Sequence, residues 1–238
     1  VKPYQQQGSK KTQVGKMFDN IAPYYDFLNR LLSLRMDVLW RRSAIKTIKD
    51  RSAKKILDIA TGTADLTVEI NKQLNPDQII GMDLSNEMLE VGRQKIAKKG
   101  LDHIIRLDQG DSENLQYSDN TFDVATAAFG VLNFENLQAG LTEINRVLKK
   151  NGQIVVLEFS RPTIFPFKQL FNLYFKYILP VIGKVTSKDP KAYQYLYESV
   201  QAFPDGDDFL AVLKASGFNS NQCKKLSLGI CSIYTGFK

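Results

Sequence analysis

The stretch from Ile56 to Asp83 constrains the fold more than any other part of the chain. An apolar run is followed by the small residues Ala60, Gly62 and Ala64 at every second position, then by a helical pattern and a second apolar run that ends at Asp83. This order predicts a strand, a tight turn, a helix and a second strand, the unit that binds nucleosides in doubly wound sheets. The carboxylate of Asp83 is then placed to bind ribose hydroxyls.

The rest of the chain continues the alternation of strands and helices. Further strands are predicted at 104–107, 121–127 and 153–159, and two stretches at 222–228 and 230–236 predict an antiparallel hairpin. The predicted fold class is α/β, with a doubly wound, mostly parallel, seven-stranded sheet. We interpret the chain as one domain: residues 1–51 form an N-terminal helical cap, and residues 52–238 form the core. Residues 161–203 form an aromatic insertion after strand five.

Positive charge is concentrated outside the predicted core. Residues 1–51 carry 11 basic and 4 acidic side chains and residues 161–199 carry 6 and 2, whereas residues 52–160 carry 11 and 16. Such basic surfaces are either solvated or attracted to anionic lipid or nucleic acid. Residues 1–11 are polar and basic, and we expect them to be mobile. His103 is the only histidine in the sequence, which argues against a zinc site, so we predict no metal.

The aromatic insertion has an apolar stripe at helical spacing. The stripe runs through Phe167, Leu170, Phe171 and Tyr174, and Lys168 falls between them. Lysines and prolines in this stretch argue against a membrane-spanning helix and favour an amphipathic one. Its apolar side either packs on the core or contacts lipid. No N-terminal segment has the apolar core of a signal peptide, so we expect a cytoplasmic protein that associates peripherally with membranes.

The turn before the first crossover helix favours one nucleoside cofactor. A dinucleotide fingerprint has a third glycine where Asp65 stands, and an acid there would oppose a pyrophosphate at the helix N-terminus. S-adenosyl-L-methionine makes the opposite demand, because its sulfonium and ammonium groups are positive. The acids Asp58, Asp65, Asp83 and Asp111 at the predicted strand ends suit that cation. Within this set, Asp58 is expected to brace the loop from behind, and a capping role is the favoured alternative for Asp65.

The remaining positions of the cofactor site have separate expected roles. The backbone at Gly62 and Thr63 allows the methionine portion to approach closely. Asp83 accepts hydrogen bonds from both ribose hydroxyls, and Asp111 with Ser112 meets the adenine edge.

Several longer segments make the chain resemble a known family. They are MFDNIAPYYDFLN, LDIATGTADL, DNTFDVATAAFGVLNF, RVLKKNGQIVVLEFS and KAYQYLYESV, and the resemblance covers nearly everything from Met17 to Lys238. The chain resembles the C-methyltransferases of ubiquinone and menaquinone biosynthesis. The resemblance implies a class I, Rossmann-like methyltransferase fold, S-adenosyl-L-methionine as the methyl donor, and methylation of a ring carbon on a polyprenyl quinol. It also implies that the cofactor is bound by Thr63, Asp83, Asp111 and Ser112.

Demethylmenaquinol is the favoured substrate. A ubiquinone-pathway benzoquinol or another small molecule is the alternative. No N-P-P-[FY] motif for a flipped base is present, so we expect no nucleic-acid partner. A third hypothesis is an inactive scaffold, because Leu132 stands where the family has an arginine. We expect the aromatic insertion to contact a membrane surface, and the sequence leaves a homodimer open.

Carbon methylation requires an electron-rich ring, so a quinol hydroxyl must be at least partly deprotonated. A phenol with a pKa near 10 lies roughly 3 units above pH 7, a gap of about 4 kcal/mol that a base can largely supply. We predict that Tyr25 and Asp26 are the catalytic residues, acting directly or through water. The aromatic insertion is expected to supply an apolar groove for the polyprenyl tail.

Overall fold

We describe the protein from a computed structural model, which covers residues 1–4, 7–178 and 191–238. Within these residues, seven strands form one sheet in the order β3-β2-β1-β4-β5-β7-β6. The strands are β1 Lys55–Ile59, β2 Gln78–Asp83, β3 Ile105–Gln109, β4 Phe122–Ala128, β5 Leu148–Phe159, β6 Asn219–Leu226 and β7 Cys231–Phe237. Strands β1 to β5 are parallel, and β7 is antiparallel to both of its neighbours. The predicted fold class is confirmed.

Helices precede, connect and follow the parallel strands. They are α1 Lys10–Ile21, α2 Tyr25–Leu32, α3 Met36–Ile45, α4 Asp65–Leu74, α5 Asn86–Lys98, α6 Leu137–Val147, α7 Phe167–Leu173, α8 Lys191–Ala202 and α9 Asp207–Ala215. Ser85 and Asn136 cap α5 and α6, since each side chain accepts a hydrogen bond from the backbone N–H three residues later. Residues 179–190 of the predicted insertion lie outside the described residues. No helix in the described part of the chain is long and apolar enough to cross a bilayer.

The central strands place three turns at one edge of the sheet. Leu57 and Ile59 of β1 belong to one core cluster and Ile56 to the other, because alternate residues of a strand point to opposite faces. In the sheet register, Ile59 lies beside both Met82 of β2 and Ala127 of β4. The turns that follow β1, β2 and β4 therefore meet at the edge where doubly wound sheets bind ligands.

Two expectations from the sequence are wrong in detail. Residues 10 and 11 belong to α1, which begins at Lys10, and the backbone N–H groups of both residues donate to the carboxylate of Glu135. A carboxylate at a helix N-terminus stabilises the helix, so this end of the cap is fixed to the core. Strand β5 begins at Leu148 and not at residue 153, because Leu148 already pairs with Phe122 of β4.

The aromatic insertion divides between the core and the surface. Phe171, Tyr193 and Tyr195 are buried, whereas Leu170 and Leu173 are more than half exposed. Core packing therefore applies to one set of side chains, whereas contact of the exposed set with lipid stays a prediction. One set packs on the core and the other faces outward.

Candidate active site

A narrow cleft lies where the turns after β1, β2 and β4 meet. Part of its lining is formed by Ala60, Gly62, Gly110 and Gly130, which have small or absent side chains. Ala60 and Gly62 both have positive φ angles, +51° and +56°, so the turn folds back over the end of β1. A Cβ atom on Gly130 would clash with the Cβ of Ala60, so the close approach of these two turns requires glycine at this position.

Asp83, the last residue of β2, lines this cleft as predicted. Its Oδ2 accepts a hydrogen bond from the N–H of Gly62 at 2.8 Å, and its Oδ1 accepts one from the N–H of Ser85 at 2.9 Å. Burial raises the pKa of Asp83, and the two N–H groups act in the opposite direction. Each carboxylate oxygen retains a lone pair for a further donor such as a ribose hydroxyl.

Asp111 and Ser112 line the same cleft. Asp111 Oδ2 pairs with Lys11 Nζ at 2.5 Å, and Asp111 Oδ1 accepts a hydrogen bond from the N–H of Glu113 at 2.9 Å. Because Lys11 belongs to α1, the helical cap closes this side of the cleft. Sequence reasoning missed Lys11, since it assigned this residue to a mobile segment.

Beside the turn, three cations and three carboxylates form a group that we call the ionic cluster: Asp26, Arg30, Asp37, Arg41, Asp65 and Lys95. Lys95 Nζ lies 2.7 Å from Asp26 and 2.6 Å from Asp65. Arg30 pairs with both Asp37 and Asp65, and Arg41 pairs with Asp37 at 2.5 Å. The ionic cluster therefore connects α2 and α3 of the cap to α4 and α5 of the core.

Two of the four acids that suggested a cationic cofactor, Asp58 and Asp65, do not line the cleft. Burial opposes the ionisation of Asp65, but the cations of the ionic cluster lower its pKa to about 2. Asp58 is buried behind the turn, where it accepts hydrogen bonds from two threonine hydroxyls at 2.6 and 2.7 Å. Burial raises the pKa of Asp58 to about 6. Asp58 therefore braces the loop as expected, while Asp65 neutralises cations of the protein.

A larger cavity of about 580 Å³ adjoins the cleft, enclosed by the cap and the aromatic insertion. Its wall is mostly apolar and includes Leu28, Trp40, Phe171, Tyr193 and Leu196. Four residues line both the cleft and this apolar cavity: Phe18, Tyr25, Phe129 and Asn133. We call these four residues the junction, because the two spaces meet beside them. The ring of a substrate in the cavity would reach the cleft at this point.

Of the two predicted catalytic residues, Tyr25 lies at the junction. Burial raises the pKa of its hydroxyl, while a hydrogen bond with Asn29 and the charge of Arg41 act in the opposite direction. The hydroxyl is therefore protonated at neutral pH. Sequence reasoning missed Phe129 and Asn133, although both follow the carboxyl end of a central strand, which is a position that signals a site.

Asp26 and Thr63 bind each other beside the turn. Thr63 Oγ1 donates to Asp26 Oδ1 at 2.5 Å, and Lys95 pairs with Asp26 Oδ2 at 2.7 Å. Among the described lining residues of the cleft and the apolar cavity, neither Asp26 nor Thr63 is present. Their assignments to catalysis and to cofactor binding stay predictions.

Leu132 stands where an arginine is expected from the family that the sequence resembles. Its side chain is buried in the core and lines neither the cleft nor the apolar cavity. Its backbone N–H donates to Glu158 Oε2 at 3.2 Å, and the N–H of Phe159 donates to Glu158 Oε1 at 2.9 Å. Burial raises the pKa of Glu158 to about 8, although these N–H groups oppose the shift. A mostly protonated carboxyl group therefore fixes the turn that carries Asn133.

The hydrogen-bond acceptors of the cleft fit S-adenosyl-L-methionine. The carboxylate of Asp83 suits ribose hydroxyls, and the carboxylate of Asp111 suits an amino group on the adenine edge. Gly62 has no side chain, and the atom nearest to an added Cβ would be a ring carbon of Tyr25 at 3.9 Å. A side chain here would contact the ring of Tyr25, so glycine keeps the backbone of the turn exposed to the cleft, where the methionine portion can approach it.

Comparison with known proteins agrees with this geometry. The model of the ubiE/COQ5 methyltransferase family matches residues 6–238. The chain belongs to this family. It is 46% identical to a demethylmenaquinone methyltransferase of Bacteroides fragilis, across 100% of this chain and 97% of that one. It is 44% identical to a ubiquinone/menaquinone biosynthesis C-methyltransferase of Geotalea daltonii, across 96% of this chain and 97% of that one.

Solved structures share the fold of this ubiE/COQ5 family member. A methyltransferase of Thermotoga maritima that depends on S-adenosylmethionine superposes with a TM-score of 0.66 at 16% identity, across 94% of this chain and 99% of that one. A phosphoethanolamine N-methyltransferase of Haemonchus contortus in complex with S-adenosyl-L-methionine has a TM-score of 0.62 at 12% identity, across 83% of this chain and 52% of that one. The protein is an S-adenosylmethionine-dependent methyltransferase, and the predicted family, fold and cofactor are confirmed.

Replacing Asp83 tests the cofactor site. We expect Asp83→Ala to weaken S-adenosyl-L-methionine binding at least about a hundredfold in calorimetry, because each lost hydrogen bond to a charged acceptor contributes about 1.5–3 kcal/mol. Asp108→Ala is the matched control, since Asp108 also lies near the end of a strand but pairs with Arg106 outside the cleft. Equal binding by the two variants would contradict the assignment of Asp83.

Glu158 predicts a pH dependence of stability. Its pKa of about 8 in the folded state lies above the ordinary carboxyl value, so the folded protein holds this proton more tightly than the unfolded chain does. This stabilisation is complete below the pKa that Glu158 has in the unfolded chain, and it is lost as the pH rises toward about 8. We expect the free energy of unfolding, measured in urea between about pH 6 and pH 8, to fall less steeply in Glu158→Gln than in the wild type. The exposed Glu87→Gln is the control, and parallel slopes for wild type and Glu158→Gln would refute the shift.

Proposed function

We propose that this methyltransferase converts demethylmenaquinol to menaquinol. The observation that carries the proposal is the apolar cavity of about 580 Å³ that meets the cofactor cleft at the junction. A quinol with a polyprenyl tail needs an apolar space of this kind, with few polar groups to orient its ring. The name of the Bacteroides fragilis relative, which is a demethylmenaquinone methyltransferase, supports the same substrate.

A ubiquinone-pathway benzoquinol is the second candidate substrate. The Geotalea daltonii relative is named for both ubiquinone and menaquinone biosynthesis. The preference for demethylmenaquinol is supported by the relatives of Bacteroides fragilis and Porphyromonas gingivalis, at 46% and 40% identity, which are both demethylmenaquinone methyltransferases.

Five residues are proposed to hold the cofactor. Gly62 and Thr63 present the backbone of the turn to the methionine portion, Asp83 binds the ribose hydroxyls, and Asp111 with Ser112 meets the adenine edge. S-adenosyl-L-methionine supplies an electrophilic methyl group when it is bound. The protein contributes alignment, because the ring carbon must lie in line with the methyl group and the sulfur.

Tyr25 is proposed as the catalytic residue that contacts the substrate. Its protonated hydroxyl lies at the junction, where it can hydrogen-bond a quinol oxygen and relay a proton through water. Asp26 is proposed to act through the turn, because Thr63 and Lys95 occupy its carboxylate oxygens. The two predicted catalytic residues therefore have different roles. Tyr25 contacts the substrate, and Asp26 positions the turn.

Methyl transfer tests the function directly. We expect wild type to transfer labelled methyl from S-adenosyl-L-methionine to chemically reduced demethylmenaquinone, and Tyr25→Phe to lower kcat by about a hundredfold through loss of proton transfer. Tyr24→Phe is the matched control, because Tyr24 is 42% exposed and lines neither space. Transfer only to a benzoquinol would favour the second candidate, and equal kcat for the two variants would remove Tyr25 from catalysis.

The cavity mouth is proposed to face a membrane. Leu34, Leu170 and Leu228 line the apolar cavity and are also 83%, 56% and 55% exposed, so they mark where it opens. The aromatic insertion adds the exposed basic side chains of Lys168 and Lys176. Exposed leucines with nearby lysines suit an anionic lipid surface, from which a polyprenyl quinol could enter. We therefore propose a cytoplasmic enzyme that associates peripherally with membranes.

Cosedimentation with vesicles tests this surface. We expect Lys168→Glu/Lys176→Glu to weaken binding to anionic phosphatidylglycerol vesicles about tenfold or more, at roughly 1 kcal/mol for each lysine removed. Lys98→Glu/Lys99→Glu is the matched control, since it reverses two exposed lysines at the end of α5. Equal losses for the two double variants would assign binding to net charge, and self-association without vesicle binding would assign the surface to a homodimer.

A further inference from the structure

The apolar cavity contains very little charge. Among the described residues that line it, only Asp37 and Arg41 carry a charged side chain. Both belong to α3 and lie one helical turn apart, and Arg41 is 8% exposed. A buried guanidinium in the wall of an apolar cavity is costly to desolvate unless it is paired, and Arg41 is paired with Asp37 through one nitrogen.

The surroundings of Arg41 place its charge beside the junction. Its guanidinium carbon lies 5.9 Å from the ring centroid of Phe129, which is a junction residue. Arg41 Nη1 pairs with Asp37 at 2.5 Å and lies 3.7 Å from Asp65. Among the described contacts, neither Nε nor Nη2 donates to an acceptor in the protein. The arginine is therefore anchored through one nitrogen and has donors left for a ligand.

The charge of Arg41 reaches groups on several elements around it. Its charge favours the ionised forms of Tyr25 on α2, Asp58 on β1 and Cys231 on β7, although burial leaves the pKa of each of them raised. It also helps to lower the pKa of Asp65 on α4. Among the described residues, Asp37 pairs directly with Arg41, and Arg30 pairs with the same two carboxylates, Asp37 and Asp65. A phenol in the same cavity would experience the same field, which offsets part of the cost of ionising a buried hydroxyl.

We propose that Arg41 binds the quinol oxygen that loses its proton and stabilises the resulting oxyanion; this inference rests on the proposed function. The O–H bond breaks, the proton passes to water, and the electron pair stays on oxygen in conjugation with the ring carbon that becomes the nucleophile. A planar guanidinium is suited to this role, because it stays charged and offers donors in a fixed plane. A donor fixed beside a developing oxyanion in a dry site contributes about 10²-fold to 10³-fold in kcat.

The test uses 1-naphthol, a phenol that lacks the second hydroxyl of a quinol, with the whole 238-residue chain and S-adenosylhomocysteine. We expect the pKa of bound 1-naphthol, followed by absorbance, to rise by about one unit or more in Arg41→Met, which is a tenfold loss of ionisation. With reduced demethylmenaquinone, kcat should fall about a hundredfold and its pH profile should shift to higher pH. Arg41→Met should still fold, because Arg30 pairs with both Asp37 and Asp65.

Two further variants separate oxyanion binding from a structural role. Arg42→Met is the matched control, since Arg42 pairs with Glu69 at the surface and lines neither space. Arg41→Lys keeps the charge of the ionic cluster but loses the planar donors, so we expect a kcat between those of wild type and Arg41→Met. An unchanged pKa of bound 1-naphthol in Arg41→Met, or no binding of 1-naphthol by wild type, would overturn the proposal. A wild type that shifts this pKa but does not methylate reduced demethylmenaquinone would instead refute the proposed function.

Discussion

The ionic cluster is the interaction on which the rest of the site depends. Its three cations and three carboxylates join two helices of the cap to the two helices that flank the cofactor turn. Asp37 and Arg41 are its buried members, and breaking one partner of such a pair costs about 3–5 kcal/mol, because the other charge stays buried without compensation. The cap helices α2 and α3, which line the apolar cavity, and the turn of the cofactor cleft are therefore held in one arrangement. A methyl donor and a quinol ring can be aligned only if these two parts keep their relative position.

Two adjacent residues of α2 illustrate how one helix serves both purposes. Tyr25 lines the cleft and the cavity, whereas Asp26 points to Thr63 and Lys95. Successive residues of a helix are separated by about 100° around its axis, so neighbours in sequence face different surroundings. The ionic contact of Asp26 fixes the helix, and that fixed helix determines where the hydroxyl of Tyr25 lies. The sequence alone suggested one shared catalytic role, because it shows adjacency but not direction.

The parts of the fold and site that sequence reasoning predicted correctly are those encoded locally. Apolar runs that end at Ile59, Met82 and Ala127 predicted the central strands, and their shared edge predicted that Asp83 and Asp111 would line one cleft. Charge partners distant in sequence could not be predicted in this way. Asp65 was counted among the acids for a cationic cofactor, yet its partners are cations of the protein that lie 24 to 35 residues away. The predicted cofactor was thus correct, although only Asp83 and Asp111, of the four acids that suggested it, line the cleft.

The position of Leu132 shows how the polar groups of this site are distributed. Its side chain packs in the core, and its N–H binds a Glu158 carboxyl group that is mostly protonated at neutral pH and so needs no counter-ion. The sheet side of the apolar cavity therefore lacks a cation at this position, and the charge in its described lining comes from α3 of the cap. With Arg41 as the oxyanion donor, ionisation of the quinol requires the cap to be docked on the core as observed, because Arg41 is held by contacts of the ionic cluster. The contacts that hold the cap to the cofactor turn thus also hold Arg41, so the position of the oxyanion donor depends on the ionic cluster.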